Sequence, residues 1–200
     1  MSSDDHSDEW PAVWLAENEK LLRELGLWDE AASGKVVVRN RHLSGLQFDS
    51  IWLGDSVFEG VTMEDCYFTS EAPWISLSRG SAAHSSFRKS DLGKGTIENF
   101  EFIDCQFQRT DFWQATIRSV QFRNCTLPKT RFVNVELVDV LFAGCTLDRT
   151  FFDGATLSGV QFENSKIVGP VFTKGAVVLD DPVRTVEDLI GLDPAAGLGG

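Results

Sequence analysis

Large apolar residues, mostly Phe and Leu, recur at every fifth position along most of the chain. An earlier stretch keeps the same spacing one residue out of phase. A spacing of five fits neither a helix, with 3.6 residues per turn, nor a strand, whose side chains alternate. The pattern therefore predicts a chain that turns a corner every five residues. The later series is Phe87, Leu92, Ile97, Phe102, Phe107, Phe112, Ile117, Phe122, Leu127, Phe132, Leu137, Phe142, Leu147, Phe152, Leu157, Phe162, Ile167 and Phe172, and the earlier one is Phe48, Leu53, Phe58, Met63 and Phe68.

Four of these units make a superperiod of twenty residues, which is clearest in CTLPKTRF (125–132) and CTLDRTFF (145–152). We expect successive coils to pair as parallel strands ~4.8 Å apart, so that residues twenty apart form ladders. Each coil buries its core only against its neighbours, which requires an iterated repeat. An insertion within a coil would turn the inward residues that follow it outward. The predicted Phe ladders are Phe102/Phe122/Phe142/Phe162 and Phe112/Phe132/Phe152/Phe172.

The segments FIDCQFQRTDFWQAT (102–116) and SVQFRNCTLPKTRFVNVELVD (119–139) carry a small residue, a polar one and then Leu or Phe in each unit. In this the chain resembles the pentapeptide-repeat family over roughly residues 36–178. The resemblance implies an all-β fold, a right-handed quadrilateral parallel β-helix with four pentapeptides per coil. The family favours Asp or Asn after the small residue, whereas this chain has Thr, Gln, Glu, Arg and Phe there.

An open-ended solenoid needs caps, and we expect short helical caps at both ends of a β-helix over 35–178. Residues 11–34 form the predicted N-terminal cap, with Trp14, Leu21, Leu25 and Trp28 on one helical face; this helix could instead dock a partner. Residues 1–10 are predicted to be a disordered acidic tail, and 179–200 a short helix with a flexible tail. The spacing from Phe68 to Phe87 is one residue short. We expect an irregular coil around 69–86, where pairing pauses at Pro73.

The sequence offers little catalytic chemistry. Cys105, Cys125 and Cys145 fall in one inward column continued by Ser85 and Ser165, which predicts packing rather than metal binding. His6, His42 and His84 share no motif, and no phosphate loop or nucleophile elbow is present. We therefore predict no enzyme, no catalytic residue, no cofactor and no metal. All four cysteines are expected to be reduced.

Two outward surfaces and one tryptophan are candidate binding sites. Lys89, Arg109, Lys129 and Arg149 occupy the same corner of four consecutive coils, although stacked like charges repel. The corner is either a solvated charged edge or a stripe that meets carboxylates or phosphates, on a partner or on the acidic ends of this chain. A second surface near Trp113, Val133, Phe151 and Val171 is either a contact patch or a resting place for a terminal segment. Trp74 either covers the irregular coil or anchors a partner.

Charge is distributed unevenly along the chain. The net charge is −12, but residues 1–34 hold nine acidic and two basic residues, and 179–200 hold five and one. The predicted rod carries 16 acidic and 15 basic residues, so it is nearly neutral. The best-known members of the family that the chain resembles protect DNA gyrase and topoisomerase IV, resemble DNA in size and negative charge, and usually form C-terminally joined dimers. A nearly neutral rod is a poor mimic of DNA.

We therefore expect a non-catalytic protein-binding module, a protective or immunity-type factor that binds a target protein such as a toxin or effector. The alternative is a resistance protein that binds gyrase or topoisomerase IV and shields it from quinolones or peptide inhibitors, for which a homodimer is implied. We expect no direct binding to nucleic acid. An acidic start and the lack of a long apolar run predict a cytoplasmic protein without a membrane segment.

Overall fold

The computed structural model describes residues 12–28, 36–49, 51–169 and 171–179. They form a parallel β-solenoid of about seven coils preceded by one helix, α1 (Ala12–Glu24), so the predicted four-sided parallel β-helix is confirmed. None of the helical residues described here forms a segment long and apolar enough to span a bilayer.

Each coil has four faces, which we number in chain order by their inward residues. Face 1 contains Val38, Phe58, Leu77, Ile97, Ile117, Leu137 and Leu157, and face 2 contains Leu43, Met63, Ala82, Phe102, Phe122, Phe142 and Phe162. Face 3 contains Phe48, Phe68, Phe87, Phe107, Leu127, Leu147 and Ile167, and face 4 contains Leu53, Ala72, Leu92, Phe112, Phe132 and Phe152.

Short parallel strands build these faces. On face 1 they are β1 (Val37–Arg39), β4 (Val57–Glu59), β11 (Glu136–Val138), β14 (Thr156–Ser158) and β17 (Val177–Val178). On face 2 they are β2 (His42–Ser44), β5 (Thr62–Glu64), β12 (Leu141–Ala143) and β15 (Gln161–Glu163). On face 3 they are β3 (Gln47–Asp49), β6 (Tyr67–Thr69), β10 (Thr126–Pro128), β13 (Thr146–Asp148) and β16 (Lys166–Ile167). Three longer strands continue from face 1 into face 2: β7 (Ser76–Ala83), β8 (Thr96–Ile103) and β9 (Thr116–Arg123). Isolated bridges between neighbouring coils form face 4.

Stacked phenylalanines fill the core. Phe122 is fully buried, and its ring centroid lies 5.1 Å from that of Phe102 above and 4.9 Å from that of Phe142 below. Rings from neighbouring faces meet these ladders edge-on, as Phe107 does at 5.5 Å from Phe122. Each such pair contributes about 0.5–1.5 kcal/mol beyond the area it buries, so the ladders reinforce the parallel pairing.

Small inward residues form hydrogen bonds that join the coils. The Thr130 hydroxyl donates to the Phe107 carbonyl at 2.6 Å, and the Thr150 hydroxyl donates to the Leu127 carbonyl at 2.8 Å. The Cys125 thiol donates in the same way to the Phe102 carbonyl at 3.4 Å. Thr, Cys and Ser suit these positions because each is small and offers one donor to an otherwise buried carbonyl.

The residue two places after most inward side chains turns the corner in a left-handed conformation. Asn, Asp or Gly occupies many of these positions, for example Asn124 at φ 53° and Gly144 at φ 65°. These residue types tolerate positive φ with the least strain. The corner N–H groups are paired to the next coil, as from Asn124 to the Ala143 carbonyl at 2.8 Å.

The short coil is paired more regularly than expected. Strand β7 crosses the segment 69–86 and pairs in register with β4 and β5 on one side and with β8 on the other. The prediction that pairing pauses here is therefore wrong. The coil is one residue shorter because Ala72 follows Phe68 by four residues instead of five, and this deletion lies at the corner between faces 3 and 4. Within β7, Gly80 leaves room for Phe100, a large side chain at a position that is usually small.

The last coil corrects the predicted Phe112 ladder. Phe151 pairs with Phe172, 21 residues later, so one extra residue has entered after Ile167. Phe172 therefore stands on the outside of face 4, where its ring stacks on Phe151 at 4.6 Å. Val171, predicted to lie outward, is only 4% exposed. This is the inversion of facing that an insertion is expected to cause.

Helix α1 covers the N-terminal end of the solenoid. Leu22 and Leu27 are buried against the first coil, while Leu21, Leu25 and Trp28 are partly buried beside them. The amide of Asn18 donates to the Trp52 carbonyl at 3.0 Å and accepts from the Trp52 N–H at 2.8 Å. One side chain thus satisfies both backbone groups at the open edge of face 4. The predicted tail 1–10 and the C-terminal helix after Leu179 lie outside the described residues.

Candidate interaction surface

Lys89, Arg109, Lys129 and Arg149, which we call the basic ladder, occupy successive rungs of the corner between faces 3 and 4. Their φ angles are 57°, 58°, 57° and 51°, so all four turn the chain in the left-handed region. Lys129 is partly exposed and the other three are exposed. Backbone pairing fixes the rungs, as from the Lys129 N–H to the Asp148 carbonyl at 2.7 Å.

The basic ladder lies at the corner between faces 3 and 4, in the four regular coils that separate the two irregular ones. The one-residue deletion lies at the same corner before Lys89, and the one-residue insertion lies there after Arg149. Left-handed geometry costs an ordinary residue about 1–2 kcal/mol relative to the right-handed form. Asn124, Asn134 and Asn164 show that this fold uses residues better suited to positive φ at other corners. Local backbone geometry therefore does not account for the choice of Lys and Arg.

Among the described residues, nearby carboxylates neutralise the basic ladder only at its C-terminal end, at Arg149. The Arg149 guanidinium pairs with the Asp148 carboxylate at 2.9 Å, and the hydrogen bond from Arg149 holds the pKa of Asp148 below its ordinary value, with a smaller effect from Lys129. Arg131 on face 4 pairs with Asp111 at 2.7 Å. Within the described ranges, Arg88, Lys89, Arg109 and Lys129 have no carboxylate within 4.0 Å.

Face 4 places apolar side chains beside the basic ladder. Trp113 is 37% exposed, and Val133 occupies the same outward column one coil later. The stacked pair of Phe151 and Phe172 lies in the neighbouring column and is partly exposed. We call these four residues the face-4 patch. Its predicted member Val171 is buried, and Phe172 takes its place.

Trp74 lies at the corner between faces 4 and 1, where it is partly buried. The ammonium of Lys94 lies 5.0 Å from the ring centroid of Trp74 and 5.3 Å from that of Trp113. Lys94 thus joins the two indoles through cation–π contacts. Lys94 was not identified from the sequence. Its position twenty residues after Trp74, in the same corner column, would have predicted that the two side chains are neighbours on successive coils.

The buried cysteines belong to the packing. Cys66, Cys105, Cys125 and Cys145 are all buried and unpaired. Hydrogen bonds with the Cys105 and Cys145 thiols, together with burial, raise the pKa of Cys125 far above its ordinary value. Burial also raises the pKa of Cys66. These four buried side chains act as small hydrophobic rungs.

The two histidines that the structure describes, His42 and His84, lie on different coils. His42 lies 3.9 Å from Glu64, and His84 lies 3.7 Å from Asp104 on another coil. Ser85, which follows His84 in the chain, is buried and donates its hydroxyl to the Ala83 carbonyl, so it is not placed as a nucleophile. Among the residues whose placement is described, no three His, Cys, Asp or Glu side chains gather as metal ligands would.

The repeat and the four-sided coil together define a pentapeptide-repeat solenoid, and comparison with known proteins agrees. The family model described as pentapeptide repeat region matches residues 95–172. The resemblance to pentapeptide-repeat proteins that the sequence predicted is thus confirmed for this part of the chain. A search of the curated proteins found no matching sequence.

Several solved structures resemble the chain at low identity. A trypsin-treated variant of QnrB1, a plasmid-mediated fluoroquinolone resistance protein, is 14% identical over 73% of this chain and 92% of its own, with a TM-score of 0.46. HetL, involved in heterocyst differentiation regulation in the cyanobacterium Nostoc sp. strain PCC 7120, is 11% identical over 74% and 89%, with a TM-score of 0.33. A thylakoid-lumen protein of Arabidopsis thaliana is 17% identical over 62% and 66%, with a TM-score of 0.36. None of these likenesses indicates what this chain binds.

Proposed function

We propose that the chain is a non-catalytic protein-binding module whose contact surface combines the basic ladder with the face-4 patch. The observation that carries this proposal is the basic ladder itself. Four long cations occupy strained corner positions in register, and three of them lack a close carboxylate among the described residues. Repulsion within such a column is relieved when a partner supplies negative charge.

The face-4 patch supports the same surface. Protein interfaces combine an apolar centre rich in aromatic residues and Arg with a polar rim. Trp113, Phe151 and Phe172 offer the aromatic centre, and the neighbouring basic ladder offers a charged border. A rigid solenoid would hold both in a preformed arrangement, which reduces the ordering cost of association. We therefore propose a partner that presents carboxylates next to an apolar surface.

A cytoplasmic toxin or effector that this protein neutralises fits the proposal. The fitting test is capture of partners from the native host, with the wild-type chain compared to a ladder variant, Lys89→Asn/Arg109→Asn/Lys129→Asn. Asn occupies equivalent corners elsewhere, so this variant should fold. The matched control is Arg79→Asn/Arg118→Gln/Arg123→Gln, which removes three cations from faces 1 and 2 and their shared corner.

The ladder variant should lose the partner and the control should retain it. The captured protein must then bind the purified wild-type chain directly, with an affinity that falls at least about tenfold in the ladder variant, equivalent to about 1.4 kcal/mol. Equal binding by the ladder variant and the wild type would refute this surface. Equal losses in both variants would show that net charge alone drives binding.

The alternative proposal is a resistance protein that binds a type II topoisomerase in place of DNA. The observation that favours it is a short acidic column, Glu71, Asp91 and Asp111, on face 4. This column covers only three coils, and Asp111 is already paired with Arg131. The alternative predicts that the purified chain protects gyrase supercoiling from a quinolone, and that Glu71→Lys/Asp91→Lys abolishes the protection. No protection at micromolar protein would exclude it.

A further inference from the structure

The cations of the basic ladder and its neighbour Arg88 that have no close carboxylate in the described part of the chain lie toward the N-terminal end of the solenoid. Arg88, Lys89 and Arg109 lack close carboxylates among the described residues, and so does Lys129, although Asp148 is near it. Arg149, at the C-terminal end of the ladder, already has Asp148 as its partner. A segment that neutralises the ladder would therefore gain most at the rungs nearest the N-terminal cap.

The N-terminal end of α1 lies on this side of the molecule. Asn18 is held at Trp52 on the outer edge of face 4, and Arg41 donates to the Gly26 carbonyl at 2.9 Å. Arg41 opens face 2, at the corner diagonally opposite the basic ladder. The helix thus crosses the end of the solenoid. Its six residues before Asn18 add about 9 Å beyond face 4, on the side of the ladder.

The length and the charge of the segment before α1 both fit the basic ladder. Eleven residues precede α1, and in extended form they reach about 36 Å at most. Lys89 lies two coils below Trp52 and Lys129 two coils further, so the required span is about 20 Å at ~4.8 Å per coil. The segment carries Asp4, Asp5, Asp8 and Glu9, four carboxylates for the four cations Arg88, Lys89, Arg109 and Lys129.

The acidic C-terminal segment fits less well. The described chain ends at Leu179 on face 1, after the Leu179 N–H donates to the Leu157 carbonyl at 2.9 Å. Face 1 does not border the basic ladder, and the nearest rung is the paired Arg149. From this side the C-terminal carboxylates would have to cross the end of the solenoid to reach a rung that is already neutralised.

We propose that residues 1–11 lie along the basic ladder and occupy it until a partner with the same carboxylate chemistry displaces them. Occupation of the ladder does not depend on the proposed function, whereas competition with a partner rests on it. The segment would act as an intramolecular competitor that lowers the affinity for weakly acidic surfaces. Its effect is electrostatic, so it should weaken as salt rises.

The direct test is zero-length cross-linking of the full chain with a carbodiimide, which joins carboxylates to lysine amines in contact, followed by mass spectrometry. We expect Asp4, Asp5, Asp8 or Glu9 to be linked to Lys89 and Lys129. Lys94, Lys166 and Lys174 are internal controls because they lie off this corner. The proposal is overturned if the N-terminal carboxylates give no links to Lys89 or Lys129, if they link to the control lysines as often, or if Asp180 and Asp181 replace them.

A second test measures occupancy without cross-linking. The host is the full chain with Asp4→Asn, Asp5→Asn, Asp8→Asn and Glu9→Gln, and the probe is a labelled peptide of residues 1–11. Anisotropy at low salt should show binding that weakens at least about tenfold when Lys89, Arg109 and Lys129 become Asn. Binding should weaken less than about twofold for Arg149→Asn, since Asp148 already neutralises Arg149. Equal effects of the two changes, or no binding to the host, would contradict the proposal.

Different results would refute the proposed function and the proposed occupation of the ladder by residues 1–11. If the cross-links appear but the tail-neutralised chain captures no partner through the ladder, the tail occupies the ladder and the proposed function is wrong. If a partner depends on the ladder but its affinity is the same for the wild-type and tail-neutralised chains, the proposed function stands and competition is refuted. Tighter partner binding by the tail-neutralised chain is the result expected when both are correct.

Discussion

Replacing Phe122 with Ala tests whether the stacked Phe ladders hold the solenoid together. The Phe122 ring is fully buried, with stacked partners at 5.1 and 4.9 Å and edge-on partners at 5.5 and 6.2 Å. Buried Phe→Ala substitutions cost about 3–5 kcal/mol. Because four ring contacts are lost together, we expect a loss of about 4–5 kcal/mol in the free energy of unfolding.

Phe162 provides a matched comparison within the same ladder. It has one stacked partner, Phe142 at 4.8 Å, and one edge-on partner, Phe152 at 6.4 Å. No described Phe stacks on its other side, so Phe162→Ala should cost about 3 kcal/mol, at the low end of the range for buried aromatic residues. Phe→Leu at either site should cost less because Leu127 and Leu147 fill the adjacent face-3 ladder.

The measurement is urea unfolding followed by circular dichroism, with unchanged m-values as the check that the folded and unfolded states are comparable. If Phe122→Ala does not fold, the Leu substitutions at positions 122 and 162 carry the comparison. Equal losses at the two sites would refute the argument that ring stacking along the ladder is the main stabilising contribution. A loss below about 2 kcal/mol for Phe122→Ala would also refute it, since the expected cost is about 3–5 kcal/mol.

Three further predictions follow from the described contacts. Asn18→Ala should lower the free energy of unfolding by about 1–3 kcal/mol in urea titrations, because two backbone groups of Trp52 lose their partner; an unchanged midpoint would contradict this role. The four thiols should resist a disulfide reagent in the native protein and all react in denaturant, and rapid native reaction would disprove their burial. Burial raises the pKa of Asp111, so the folded protein holds more protons than the unfolded chain just above the ordinary carboxyl pKa. Stability should therefore fall as pH rises through that window, and Asp111→Asn should remove this part of the decline; an identical pH profile in the variant would exclude it.

Much of the architecture was predictable because the repeat is periodic. The spacing of five places Phe102, Phe122 and Phe142 in one column, and the register of β8, β9 and β12 confirms it. The same spacing locates the cysteine column and the basic ladder, since every position in a coil repeats after twenty residues. Sequence alone did not predict that β7 would pair normally through the short coil.

The limits of prediction lie where the period changes. Phe172 lies twenty residues after Phe152, which is one full period of four five-residue units, yet it faces outward. The spacing cannot show which of several nearby positions absorbs an extra residue. Only pairing with the preceding coil decides that Val171 enters the core and that Phe172 joins Phe151 on the surface.

The candidate interaction surface was also predicted only in part from the sequence. The sequence identified four cations in register and Trp113 nearby, but the ion pairs that neutralise Arg149 and leave Lys89 without a close carboxylate depend on side-chain geometry. The contact of Lys94 with two indoles also required the positions of neighbouring coils. These features determine which part of the ladder is available.

The sequence by itself determined the coil, its four faces, the inward columns and the corner that carries the basic ladder, because a regular repeat converts spacing directly into position. The tertiary structure alone decided how the irregular coils are accommodated, how Asn18 closes the first edge, and which charges are paired. These outcomes depend on contacts between coils and between side chains, where a displacement of one residue or a few ångströms changes which groups meet.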